Sequence, residues 1–193
     1  MRRLFCLSLL LPLATAAPDE NEEARRLRPD HAPVPFTADQ IREACREGRT
    51  DTYRIELRNE KPSKHTAKFL KCDREGAEVE ATNTLKDGTV TTTKERQAWV
   101  DFQTQASFPA IDTKITEETI EVPAGKFECW LYTVQKKEGD PAVVRLYFAK
   151  KLPGHPVKIT SEEKGKAIFT MTLLEHKDGG KKEEEKAPEK GKE

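Results

Sequence analysis

The sequence lacks a net charge of either sign. Its 193 residues include 34 Lys and Arg against 34 Asp and Glu. The two signs are interspersed, as in the charged stretch from Lys64 to Glu75. Proteins that bind nucleic acid normally carry a basic excess or a basic stripe, because phosphate neutralisation supplies much of their affinity. The composition therefore predicts that nucleic acid is not a partner.

Catalytic, cofactor and metal motifs are also missing. The sequence has no G-x-S-x-G elbow, no glycine-rich phosphate loop and no C-x-x-C, and its four histidines are far apart. We predict a protein that is not an enzyme and that uses no cofactor. One catalytic alternative is a hydrolase acting through His155, which lies in a loop between Pro153 and Pro156.

Long apolar runs are absent after the first few residues. Arg2 and Arg3 precede the apolar run from Leu4 to Leu13, and the small residues from Ala14 to Ala17 follow it. This order is typical of a signal peptide, and the run is too short to anchor a protein in a bilayer. We predict a Sec-type signal peptide at residues 1–17 and a periplasmic or extracellular mature protein without a transmembrane segment.

Cysteine is scarce, and one of the four, Cys6, lies in the predicted signal peptide. The other three, Cys45, Cys72 and Cys129, are an odd number in an oxidising compartment, which predicts one disulfide and one free thiol. Three pairings are open. We favour Cys72 with Cys129 because both lie in strand-like sequence, whereas Cys45 lies in a predicted helix.

The two ends of the mature chain have little apolar sequence. Residues 18–35 are acidic and rich in proline, which predicts a disordered linker. Residues 177–193 consist mainly of Lys, Glu and Gly, which predicts a disordered charged tail. A single domain over residues 36–176 remains.

That domain begins with a strong helix-start signal. Thr37 followed by Gln40 forms a capping box, and Phe36 before the cap is placed to pack on Ile41. The sequence predicts one short helix over about residues 37–47 and no second helix.

From residue 51 onward the apolar period changes from that of a helix to that of a strand. The predicted strands are 53–58, 66–73, 77–82, 89–100, 111–122, 126–135, 142–149, 155–161 and 167–174. The segments between them are short and rich in turn residues, which favours antiparallel hairpins over parallel crossovers. We predict a mainly β fold: an antiparallel meander that forms a curved sheet or half-barrel, with one short N-terminal helix packed on it.

Aromatic residues are few but concentrated in the middle of this meander. In the strand at 126–135, alternation places Cys129 and Leu131 on one face and Trp130 and Tyr132 on the other, so both faces require cover. The N-terminal helix with nearby loops, an apolar ligand and a protein partner are the three alternatives. The candidate ligand or partner surface consists of Trp99, Phe102, Trp130, Tyr132, Tyr147 and His155.

Two stretches carry a family resemblance: Val122-Pro123-Ala124-Gly125-Lys126-Phe127-Glu128-Cys129 and Leu152-Pro153-Gly154-His155-Pro156-Val157-Lys158. They resemble a loose group of exported bacterial proteins, of planctomycete and myxobacterial type, with the patterns V-P-A-G-x-F-x-C and P-G-G-(P/I)-V-K. His155 departs from the second pattern, which has Gly there. The resemblance implies an antiparallel sheet similar to the periplasmic lipoprotein-carrier half-barrels, and it implies no known activity.

Taken together, these features predict an exported, non-enzymatic β-domain that binds a lipid or apolar small molecule on its concave face. The alternative is a structural or protein-interaction module of the cell envelope, whose partner is an envelope protein.

Overall fold

The computed structural model describes residues 22, 24–135 and 142–180. In chain order the elements are α1 (Ala38–Ala44), β1 (Thr50–Leu57), β2 (Ser63–Cys72), β3 (Gly76–Thr84), β4 (Val90–Ala98), α2 (Trp99–Thr104), a 3-10 turn (Ala110–Asp112), β5 (Thr113–Val122), β6 (Gly125–Gln135), β7 (Ala142–Ala149), β8 (Lys158–Glu163) and β9 (Lys166–Lys177). The predicted signal peptide and residues 181–193 of the predicted tail lie outside the described residues.

The strands form one open antiparallel sheet in the order β4-β3-β2-β1-β9-β8-β7-β6-β5. It consists of two meanders, β1 to β4 and β5 to β9, which are joined where β1 pairs with β9. Although β5 and β9 are four places apart in the sheet, they come into contact, and Val122 shares a hydrophobic cluster with Leu173. The sheet is therefore strongly curved, and the predicted fold class is confirmed.

Helix α1 begins as the sequence predicts. The backbone N–H of Gln40 donates to Oγ1 of Thr37 at 3.2 Å, and the N–H of Thr37 donates to Oε1 of Gln40 at 2.9 Å. Phe36 and Ile41 are buried in the same cluster. The helix is shorter than predicted, since it ends at Ala44 and Cys45 is already extended.

Helix α2 contradicts the prediction of a single helix and of a strand continuing to residue 100. Strand β4 ends at Ala98, whose N–H donates to Oδ2 of Asp101 at 3.2 Å and so caps the first turn of α2. Trp99 and Phe102 are buried on one side of this turn, and Nε1 of Trp99 donates to the carbonyl of Asp73 at 2.9 Å. Tertiary packing therefore favours the helical turn over a continued strand.

The core has two parts, which lie on opposite faces of β6 and β7. On one face, Tyr132 and Phe148 pack against the helices, and we call this the helix-covered face. On the other face, Cys129, Leu131 and Tyr147 form a second cluster with residues of β1, β5 and β9. The alternation predicted for β6 is thus observed, and both of its faces are covered.

The residues just before α1 belong to this core, which corrects the predicted linker. The N–H of Ala32 donates to the carbonyl of Phe108 at 2.9 Å, and Oη of Tyr132 donates to the carbonyl of Pro33 at 2.7 Å. Val34 is 0% exposed and Phe36 3% exposed. We call residues 31–36 the N-terminal strap. The domain therefore begins before residue 36, because the buried side chain of Val34 and the bonds at Ala32 and Pro33 anchor a proline-rich segment that has no regular secondary structure.

The predicted disulfide between Cys72 and Cys129 is wrong. Cys45, Cys72 and Cys129 are free thiols in the structure. Cys72 packs against the cluster of the helix-covered face, whereas Cys129 lies in the second cluster. Four strands separate β2 from β6 in the sheet, so the strand-like sequence around both residues did not bring them together.

Candidate functional site

A partly open cavity of about 160 Å³ lies between the two helices and the sheet. The strap and the loop at 154–156 complete its wall. Its apolar lining includes Phe36, Ile41, Phe102, Leu146, Phe148 and Met171, and its polar lining consists of Gln103, Gln105 and His155. The cavity therefore offers an apolar interior with a few groups that can form hydrogen bonds.

The volume of the cavity limits what it can hold. An apolar cavity of about 150 Å³ accommodates one benzene-sized molecule, whereas sites for drug-sized ligands occupy roughly 300–1,000 Å³. The cavity of about 160 Å³ is thus sized for one ring or one short alkyl group. A whole acyl chain fits only if the strap or a helix moves.

A buried amide holds the two helices together at the cavity wall. Gln103 on α2 is buried, and its Oε1 accepts a hydrogen bond from the N–H of Ala38 in the first turn of α1 at 3.1 Å. This bond satisfies a donor at the start of α1 that has no partner within the helix. The helices therefore form one connected lid over the sheet.

His155 lies in the cavity wall, and its ring contacts the ring of Phe102 edge-on, with centroids 5.9 Å apart. Burial lowers the pKa of His155 below its ordinary value of 6.5, Arg49 and His65 act in the same direction, and Asp51 opposes them. Within the described part of the chain, His155 forms no hydrogen bond to a carboxylate or to a nucleophilic side chain. His155 is therefore a neutral, weakly polar residue of the cavity wall at neutral pH.

This lowered pKa predicts a pH dependence of stability. Because the folded pKa lies below that of the unfolded chain, the unfolded state binds a proton first as the pH falls. The free energy of unfolding should therefore decrease below about pH 6.5, and the decrease should continue down to the folded pKa. In urea titrations from pH 7.5 to 5, the native chain should lose more stability than His155→Gln. Parallel pH profiles for the two proteins would contradict this prediction.

A buried ion pair supports the loop that carries His155. Arg49 and Asp51 are 2% and 1% exposed, and Nε of Arg49 donates to Oδ2 of Asp51 at 3.0 Å. Nη1 of Arg49 also donates to the carbonyl of Pro153 at 2.8 Å. The second carboxylate oxygen of Asp51 is hydrogen-bonded to Nδ1 of His176 on β9. One charged network therefore joins β1, β9 and the cavity loop.

Gly154 lies directly against the guanidinium of Arg49 in this network. Its φ of +127° lies in a region that other residues rarely adopt, and a Cβ atom at this position would stand 3.3 Å from Nη2 of Arg49. A side chain here would be strained and would press on the guanidinium. The glycine lets the loop turn closely over the ion pair and present His155 to the cavity.

The structure brings only part of the predicted aromatic surface to the cavity. Phe102 and His155 line it, and Trp99 lies behind Phe102 with ring centroids 5.7 Å apart. Tyr132 is buried next to the strap, whereas Tyr147 belongs to the second cluster on the opposite face. The six residues therefore do not form one surface.

Trp130 lies beyond the cavity wall on the helix-covered face. Its ring packs edge-on against Phe36 at a centroid separation of 5.5 Å. The guanidinium of Arg25 and the ammonium of Lys150 lie 5.1 and 5.8 Å from the ring centroid. Chain segments on either side thus cover much of the aromatic surface that the sequence predicted to be available to a ligand.

Sequence reasoning missed several residues that line the cavity. Leu146 and Phe148 share one face of β7 by simple alternation, so the strand pattern contained the signal for them. Phe36 and Ile41 were identified only as a pair that stabilises the start of the helix. No pattern in the sequence placed that pair opposite β7.

No protein-family model matches the sequence, and no curated protein matches it either. Among the described residues, no helix is both long and apolar enough to cross a membrane.

The chain is similar to solved structures of MucB. It matches MucB in complex with MucA(peri) at 12% identity and a TM-score of 0.54, over 74% of this chain and 55% of MucB. It matches a Pseudomonas aeruginosa MucA/MucB complex and MucB alone at 14% identity and a TM-score of 0.50, over 74% of this chain and 56% and 57% of the others. The chain spans little more than half of these proteins, and at such identities the likeness shows the fold alone.

Proposed function

We propose that the chain is an exported, non-catalytic binding domain of the cell envelope that takes an apolar side chain of another protein into its cavity. The observation that carries this proposal is the cavity of about 160 Å³, with its apolar interior and its polar residues. That volume suits one large side chain. Gln105 is the exposed polar residue of the lining and can form hydrogen bonds with a backbone that passes the opening, whereas the buried Gln103 already accepts from Ala38.

Two further observations favour a protein over a lipid as the partner. The strap already packs on Tyr132 and Trp130, so these two rings do not offer an open surface to an acyl chain. In two of the similar structures, MucB is bound to another protein, MucA. The predicted lipid or apolar small molecule is therefore the second candidate, and the cavity limits it to a short-chain or single-ring compound.

Export supports a partner in the envelope. The signal-peptide pattern from Arg2 to Ala17 predicts translocation to the periplasm or the exterior, where another exported protein is available. The hydrolase alternative makes a different prediction, because any hydrolytic activity that depends on His155 would be lost in His155→Ala. Unchanged activity in that variant would rule the alternative out.

Capped hexapeptides that differ only in a central Phe, Leu or Ser test the proposal. Tryptophan fluorescence is the readout, because Trp99, one of the two tryptophans of the chain, packs its ring on Phe102 of the cavity. The Phe and Leu peptides should give a saturable change, and the Ser peptide should give none. Ala106→Leu, which fills the cavity, should weaken binding at least tenfold, which corresponds to about 1.4 kcal/mol.

Ala167→Leu is the matched control, because it makes the same change at an exposed position on β9. Equal responses to all three peptides, or equal affinities in Ala106→Leu and Ala167→Leu, would contradict the proposal. Toluene serves as the competing probe. The occupant is a small apolar molecule if toluene binds the native chain, does not bind Ala106→Leu, and no peptide binds either protein.

A further inference from the structure

Two cysteines that are distant in sequence lie at the same end of the sheet. Cys45 is the C-cap residue of α1, and Cys72 is the last residue of β2. The N–H of Gly48 donates to the carbonyl of Phe69 at 2.7 Å, and the N–H of Phe69 donates to the carbonyl of Arg49 at 2.9 Å. These bonds align the segment that follows α1 with the end of β2.

Both cysteines line one surface depression, together with Glu47, Lys68 and Leu70. Cys45 is buried in the cluster of the helix-covered face, and Cys72 is half-buried against the same cluster. Cys129 is buried in the second cluster, on the other side of the sheet. The fold therefore brings Cys45 and Cys72 to the same depression, whereas Cys129 lies away from both.

We propose that Cys45 and Cys72 form a disulfide that ties helix α1 to strand β2, and that Cys129 remains a thiol. The oxidant is a disulfide compound, such as oxidised glutathione or a disulfide-bearing oxidoreductase. One cysteine thiolate attacks that disulfide, which forms a mixed disulfide and releases the first thiol of the oxidant. The other cysteine thiolate then attacks the mixed disulfide and releases the second. The two protein thiols lose two protons and two electrons, which reduce the oxidant.

The surroundings of the thiols set the order of these steps. Cys72 is more exposed, so it meets the oxidant first. Burial raises the pKa of Cys45 to about 11, although the guanidinium of Arg49 opposes this rise and donates to its sulfur at 3.2 Å. The thiolate of Cys45 is therefore scarce at neutral pH, and closure of the bond is the slow step. Burial likewise raises the pKa of Cys129 to about 11.

Trypsin separates the three cysteines and so gives a direct test. Cys45 falls in the peptide 43–46, Cys72 in 72–74 and Cys129 in 127–136. The mature chain, which begins after the predicted signal peptide and so lacks Cys6, is produced reduced, incubated with oxidised glutathione, alkylated under denaturing conditions and digested without reductant. We expect peptides 43–46 and 72–74 to be recovered as one linked species, with Cys129 alkylated. The protein taken from its exporting host should give the same map.

A bond to the peptide 127–136, or alkylation of all three cysteines in both preparations, would overturn the proposal.

Thermal unfolding provides an independent measurement that uses variants. Reduction should lower the Tm of the native chain and of Cys129→Ser by roughly 10 °C, because the bond closes a loop of nearly thirty residues. The Tm of Cys45→Ser and of Cys72→Ser should not respond to reductant. A response in either of these two, or none in Cys129→Ser, would count against the bond.

Discussion

Replacing Asp51 with Ala is expected to lower the free energy of unfolding by about 3–5 kcal/mol, because it leaves a buried guanidinium without its counter-ion. Arg49 is 2% exposed, so water cannot take over the role of the lost carboxylate. His176 would lose a hydrogen-bond partner at the same time. Urea unfolding at pH 7 measures the effect.

A double replacement distinguishes the electrostatic contribution of the ion pair from the packing contribution of the two side chains. Arg49→Met combined with Asp51→Leu removes both charges, and we expect it to cost less than either single change. The matched surface control is Arg96→Ala. Arg96 is 48% exposed and binds Asp73 at 2.9 Å, so its loss should change the free energy of unfolding very little. If Asp51→Ala is no more destabilising than Arg96→Ala, the buried network does not have the structural role assigned to it.

Replacing Arg49 alone with Met should also affect the cavity. Arg49 holds the carbonyl of Pro153, and Gly154 lies against the guanidinium, so the loop that presents His155 depends on the pair. In Arg49→Met the loop loses this anchor. Peptide or toluene affinity should therefore fall in Arg49→Met under conditions where the chain is still folded.

The strands could be predicted because each one carries its own periodic signal. The strand predicted at 142–149 matches the observed Ala142–Ala149, and the capping box at Thr37 fixed the start of α1. Such features depend on neighbouring residues and on backbone groups within a few positions. They are therefore readable from one sequence without knowledge of the rest of the fold.

Features that depend on distant parts of the chain could not be predicted in the same way. The residues of α2 follow directly on a strand, and the buried side chains of Trp99 and Phe102 favour the helical turn. Arg49 and Asp51 look like ordinary polar residues at the start of a strand, and only the approach of β9 and the loop at 153–156 buries them. The pairing of β1 with β9 is likewise a property of the complete sheet.

The largest error concerned the N-terminal strap, and it leads to the second prediction. Proline and acidic residues indicated a linker, yet a segment needs no helix or strand of its own if a few side chains anchor it. Phe36 packs against the rings of both Trp130 and Phe148, and Tyr132 donates to the carbonyl of Pro33. Phe36→Ala should therefore lower the free energy of unfolding by about 3–5 kcal/mol.

Truncation tests the strap as a unit. A chain that begins at residue 37 loses Val34 and Phe36 and leaves Oη of Tyr132 without its acceptor, so we expect it to be less stable than Phe36→Ala. Its emission should shift to longer wavelength, because Trp130 loses the cover of Phe36 and Arg25. A chain that begins at residue 22 keeps all of these contacts and is the control. If both truncated chains unfold at the same urea concentration, the strap makes no structural contribution, as the linker predicted at residues 18–35 requires. If only the shorter one is destabilised, the strap is a structural part of the domain and forms one wall of its cavity.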